Sequence, residues 1–98
     1  MEKLKKYFKM IVDEIKSADD YAEMAIKFQE TDLNLAEEYK KIAEQELHHK
    51  DIIEKTIEHY IEDCKDESGE PCTEMTVVFD FVEDVVKSMV EPIHAKLK

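Results

Sequence analysis

One glycine and two prolines in 98 residues leave this chain few places to turn. The glycine and one proline fall in a single stretch, CKDESGEPCT, so the backbone-breaking residues are concentrated there. Long uninterrupted elements must flank it. A β-rich fold, which needs frequent turn residues, is excluded. Side-chain composition agrees, with 43% hydrophobic and 40% charged residues, the mixture of amphipathic helices. The length suits one core rather than two.

Periodicity then assigns the elements. Leu4, Ile11, Ala18 and Ala25 form a row at seven-residue intervals, and Phe8, Ile15 and Ala22 form the row beside it. A third row is Tyr7, Glu14, Tyr21 and Phe28. Three adjacent rows make a bundle-wide apolar face, which predicts a helix over about 2–29. Thr31 and Asp32 supply N-cap chemistry for a second helix over about 32–63. Its inward rows are Ala36, Ala43 and Ile57, interrupted by Lys50; Tyr39, Glu46, Ile53 and Tyr60; and Leu35, Ile42 and His49. After a loop at 64–72, Thr73 can cap a third helix to about 96, carrying Met75, Val78, Val82, Val85, Met89 and Ile93 inward. Pro92 should kink that helix or begin a separate final turn. The architecture is all-α: a long antiparallel two-helix hairpin followed by a shorter third helix.

Fourteen basic against 25 acidic residues give a formal charge of −11. Such a surface repels phosphate backbones and anionic lipid while attracting cations, so no nucleic-acid partner is expected. No apolar run reaches membrane-spanning length, and MEKLKKYFKM is amphipathic rather than signal-like, so neither a membrane span nor a secretory signal is expected. Cys64 and Cys72 match neither a zinc-ribbon nor a redox spacing. They can pair, but the sequence reads them as ordinary thiols of a cytoplasmic protein.

Two carboxylates break the apolar pattern. The helical neighbours of Glu14 at three, four and seven residues are Tyr7, Met10, Ile11, Ser17, Ala18 and Tyr21, none of them charged. A carboxylate so placed is costly unless it is paired, protonated or metal-bound. Glu46 lies among Tyr39, Ile42, Ala43, His49, Lys50 and Ile53, and with His49 one turn on it forms Glu-x-x-His. The midpoint of positions 14 and 46 is Glu30, at the expected turn. In an antiparallel pair Glu14 should therefore face Glu46, with Tyr21 opposite Tyr39 on one side and Tyr7 opposite Ile53 on the other.

Two carboxylates and one imidazole are too few to enclose two metal ions. Di-iron and di-manganese bundles take a Glu from each of two helices and Glu-x-x-His from each of two more. A homodimer, or a larger even-numbered assembly, would supply that set. Iron or manganese suits these donors, and zinc also binds them. The ordinary alternatives are a Glu14 hydrogen-bonded to Tyr21 or a lysine, and a polar layer that fixes helix register.

DEIKSADDYAEMAIKF resembles the first helix of rubrerythrin and related ferritin-like proteins, with its Glu seven residues before a Tyr. IAEQELHHKDI resembles their second helix, where Glu-x-x-His ligates iron. The resemblance covers about the first sixty residues. It implies that Glu14, Glu46 and His49 are iron ligands and that Tyr21 is the tyrosine beside the site. A second ligand pair on further core helices and a rubredoxin-like cysteine quartet are both missing. Short encapsulated ferritins share this half-domain economy, and small phage-encoded ferritin-like proteins look similar in length.

The implied function is oxidation of Fe(II) by oxygen or peroxide, with two iron ions at each dimer interface and a separate shell protein for any storage. One alternative is a non-catalytic helical oligomerisation or interaction protein, of phage-derived kind, that keeps the scaffold. Another is a rubrerythrin-like peroxide-reducing oxidoreductase served by a separate electron donor. Glu83 on the third helix and the second Glu-x-x-His, Glu91 with His94, are weaker ligand candidates. The latter lies beside Asp84, Lys87 and Ser88 on a wet face. His48 and His59 are read as solvent residues. Tyr21 and Tyr39 are core aromatics placed to bond to ligands.

Overall fold

A computed structural model describes residues 2–65, 67–70 and 72–98; Asp66 and Pro71, read above as part of the loop, lie outside them. Three helices follow in order: α1 (Glu2–Phe28), α2 (Leu33–Glu62) and α3 (Thr73–Leu97). They form a rod with extents of 61 × 18 × 18 Å.

The first turn is set by local chemistry. The amides of Thr31 and Asp32 donate back to the Phe28 carbonyl at 3.2 and 2.8 Å, closing α1. Asp32 then occupies the N-cap of α2, and its carboxylate accepts the Leu35 amide at 3.1 Å. That bond satisfies one of the four amides a helix start leaves without partners. At the other end of α2 the Asp63 amide reaches the His59 carbonyl and the Cys64 amide reaches that of Ile61.

α1 and α2 pack along their length as an antiparallel hairpin. Their seam is lined by small residues: Ala18, Ala22, Ala25, Ala36 and Ala43 are all buried. Short side chains let helix axes approach closely. Leu4, Ile11 and Ile57, none more than 1% exposed, fill the rest of the seam. Each such side chain contributes ~2 kcal/mol of apolar burial.

α3 runs beside α1 and touches α2 less. Ile93 and Lys96 lie against Ile15 and Asp19, and Lys96 Nζ is 2.6 Å from both Asp19 and Glu23. The predicted inward face is turned. Phe79, Val86, Val90 and Ile93 are buried and Met75, Val78, Val82 and Met89 partly so, whereas Val85 is exposed together with Val77 and Phe81. Apolar residues occur nearly all round this helix, so the hairpin's groove selects the buried set. The helix also continues unbroken through Pro92 instead of starting a separate turn. Pro92 is exposed while Ile93 beside it is anchored in the core, so its ring can project into solvent. Cys72, not Thr73, holds the N-cap position, with no side-chain cap bond.

Cys64 and Cys72 are joined in a disulfide with Cα atoms 5.7 Å apart, contrary to the reading as separate thiols. The loop doubles back far enough to bring the two backbones within bridging distance, which residue spacing alone does not reveal. The thiol argument for a cytoplasmic setting therefore does not hold. No helix among the described residues is long and apolar enough to cross a membrane.

Candidate metal centre

α3 covers only one flank of the hairpin, the side carrying Ile15 and Asp19 on α1 and Lys50 and Glu54 on α2. One residue step rotates a helix by about 100°. Glu14 is therefore turned away from the face of α1 that Ile15 and Asp19 give to α3. Glu46 and His49 meet it from α2.

One donor atom from each of Glu14, Glu46 and His49 lies within 4.8 Å of the other two. His49 Nδ1 is 3.5 Å from Glu14 Oε2 and 4.0 Å from Glu46 Oε2. Among the described residues no other group of three or more His, Cys, Asp and Glu side chains is close enough to share an ion. The predicted register holds where the layer can be checked above it, since Tyr21 stacks on Tyr39 with centroids 6.1 Å apart. Phe28 also stacks on Tyr39, with centroids 6.1 Å apart. Below the layer, the ring contact of Tyr7 is with Tyr60, two turns beyond Ile53.

Burial differs from the expected inward-facing layer. The side chains of Glu14 and Glu46 are 26% and 22% exposed, and that of His49 is 52% exposed. Alanines bring the two backbones together at the seam, so the longer polar side chains are displaced to its edge. His49 stands outermost and also borders an open hollow of about 360 Å³ shared with Lys41, Glu44, Gln45 and His48.

The carboxyls of the layer influence one another. A hydrogen bond to Glu14 raises the pKa of the Glu46 carboxyl above the usual 4.5, and burial and the Glu14 charge push the same way. His49 opposes the shift. A proton favoured on Glu46 in this way is one that an entering cation would displace. Glu14 Oε2 is shut off from solvent and accepts no hydrogen bond, a costly state for a carboxylate oxygen. An ion held by this oxygen, Glu46 and the imidazole would relieve that cost. Two carboxylates and one imidazole suit iron, manganese or zinc, and three donors leave coordination positions free.

The weaker ligand candidates lie elsewhere. Glu91 and His94 are both exposed, and Glu83 faces Glu54 and Lys50 across the α2–α3 contact. His48 and His59 are exposed, as expected. Sequence reasoning noted Lys50 only as an interruption and missed its ion pair with Glu54, at 2.5 Å. The available signal was Lys50 in an apolar row with an acid four residues on.

Comparison with protein-family models, with curated proteins and with solved structures finds no match. The ferritin-like resemblance therefore rests on the motif residues and their placement in the hairpin.

Proposed function

We propose that this chain is a ferritin-like metal-binding subunit whose homodimer, or larger even-numbered assembly, completes an interprotomer di-iron carboxylate centre. The observation that carries the reading is the convergence of Glu14, Glu46 and His49 from two helices, with a buried Glu14 oxygen that accepts no hydrogen bond. Partial exposure of the layer's flank of the hairpin also supports it, because a second hairpin can approach there. Two hairpins packed on that flank would form a four-helix bundle containing two copies of each ligand, the complement used by carboxylate-bridged dimetal sites.

In that arrangement Glu14 and Glu46 would bridge or cap the ions, and His49 would supply nitrogen. Fe(II) is the expected substrate, oxidised by oxygen or peroxide, and manganese or zinc would compete for the same donors. The chain's own contribution is to hold the carboxylates in register, give up the proton favoured on Glu46 and leave the imidazole accessible.

Metal analysis of protein purified without chelators, combined with sedimentation, tests the proposal. One iron per chain in a dimer or larger even-numbered species is expected. No affinity for Fe(II), Mn(II) or Zn(II) would overturn it and favour a non-catalytic helical interaction protein. A metal-loaded strict monomer would overturn the shared site alone.

A further inference from the structure

The large apolar side chains that α1 and α2 leave in solvent, Met10, Ile26, Leu33 and Ile52, share no helix turn. Exposed residues scattered in that way are ordinary. α3 is different. Val77, Phe81 and Val85 are 63%, 69% and 43% exposed and follow one another at four-residue steps. Each such step turns the helix by about 40° beyond a full circle, so the three form one outward stripe. One turn on, Ser88 donates its hydroxyl to the Val85 carbonyl at 2.7 Å, so its polar group already has an intrahelical partner.

α3 cannot roll to hide this stripe. Its inner face is committed, with Phe79, Val86, Val90 and Ile93 buried. The Cys64–Cys72 disulfide ties its start, and Lys96 on Asp19 and Glu23 ties its end. A helix apolar on both its inner and its outer face has the pattern of one covered from both sides. The stripe is also presented on a preformed helix, which lowers the ordering cost of binding to it.

Charge selects the occupant. The charged residues three or four positions from Val77, Phe81 or Val85 are Glu74, Asp80 and Asp84, all exposed and all acidic. Lys87, the next base along, is two residues from Val85 and so on the other side of the helix from it. A second copy set stripe to stripe would bring acids to acids and no base, in either orientation, between chains that each carry a formal charge of −11. Anionic lipid meets the same repulsion. A basic amphipathic helix does not. Its apolar row, at three- and four-residue steps, can cover Val77, Phe81 and Val85, while flanking lysines or arginines reach Glu74, Asp80 and Asp84.

We infer that the outer face of α3 is a docking surface for a basic amphipathic helix of a partner protein, which packs on Val77, Phe81 and Val85 and pairs with the acids beside them. The surface shares no residue with the Glu14, Glu46 and His49 layer, so it stands whether or not that layer binds metal.

Synthetic helical peptides, titrated into the intact, oxidised chain and read by fluorescence anisotropy, test the surface. The first carries one row of leucines flanked by lysines, the second the same row flanked by glutamates. The third scrambles the first so that no row remains. Only the first should bind, and more tightly at low salt. Phe81→Ser should weaken that binding roughly tenfold or more, the scale of a central apolar anchor. Asp84→Lys should weaken it as well, whereas Ile52→Ser should not. All three positions are exposed, so circular dichroism should show the helices intact in each variant. No binding of the lysine peptide would overturn the inference, as would equal binding of either other peptide or an equal loss in Ile52→Ser. Sedimentation and vesicle binding test the other occupants. Self-association that Phe81→Ser abolishes would give the stripe to a second copy, and Phe81-dependent binding to phosphatidylcholine vesicles would give it to lipid. Either result overturns the inference. Unchanged sedimentation of Phe81→Ser, whether the chain is a monomer or the dimer proposed above, supports it.

Discussion

His49 and Glu14 belong to different helices, yet Nδ1 of His49 stands 3.5 Å from a Glu14 oxygen that accepts no hydrogen bond. Helix periodicity puts each residue on a face of its own helix but does not set its level against the other helix. The turn that Asp32 caps brings them to one level, and the resulting cluster ranks above the chain's other Glu-x-x-His.

The first prediction separates the two motifs. Glu46→Ala should abolish binding of Fe(II) or Mn(II), because it removes a donor and leaves Glu14 and His49 alone. Glu91→Ala should bind as wild type does, since Glu91 and His94 are exposed and outside the cluster. Metal content after anaerobic loading and desalting measures both. Loss of metal only in Glu91→Ala would reverse the assignment.

Metal uptake should release protons. The Glu46 carboxyl is held above the usual range, chiefly by its hydrogen bond with Glu14, and an entering cation must displace the proton favoured there. Affinity should therefore rise with pH from the ordinary carboxylate value of 4.5 upwards. In the metal-free protein the same shift has the opposite consequence, because a carboxyl with a raised pKa contributes stability that is lost as pH rises. Calorimetric titration in buffers of different ionisation enthalpy would detect the released protons. An enthalpy independent of buffer would contradict this account.

The two cores of the hairpin, aliphatic and alanine-lined, should fail in opposite ways. Ile57→Ala leaves a cavity at a fully buried position and should cost roughly 2–5 kcal/mol. Ala43→Leu forces bulk into a fully buried position of the seam and should cost about 1–3 kcal/mol. Urea denaturation followed by helical circular dichroism reports both. A neutral Ala43→Leu would show that the helix axes can separate freely there.

Reduction of the Cys64–Cys72 bond should destabilise the protein by about 2–3 kcal/mol, from the loop-closure entropy of a short ring. Denaturation with and without reductant, or with Cys64→Ser paired with Cys72→Ser, provides the test. The largest change in exchange protection should be at the start of α3.

Much of this fold was legible because its signals are local. Asp32 caps α2 through its own side chain, and the residues after Glu62 contain the glycine that ends the helical run. The hairpin register followed from the position of that first turn, which is why the Tyr21–Tyr39 contact could be anticipated. The inward face of α3 could not. Val77, Phe81 and Val85 are as apolar as Phe79, Val86 and Val90, and only the groove formed by α1 and α2 distinguishes them. The disulfide was hidden for a similar reason, since it depends on the path of the loop.

The depth of the ligand layer was also overestimated, because periodicity gives the direction of a side chain but not the width of the space it enters. Here the alanine seam has a consequence for evolvability. A gap too narrow for a carboxylate forces acidic residues on neighbouring rows to its rim, where adding a donor does not require rebuilding the interior. The packing of Ala18 against the α2 alanines thus separates two design problems: keeping the hairpin closed and choosing what its edge can bind.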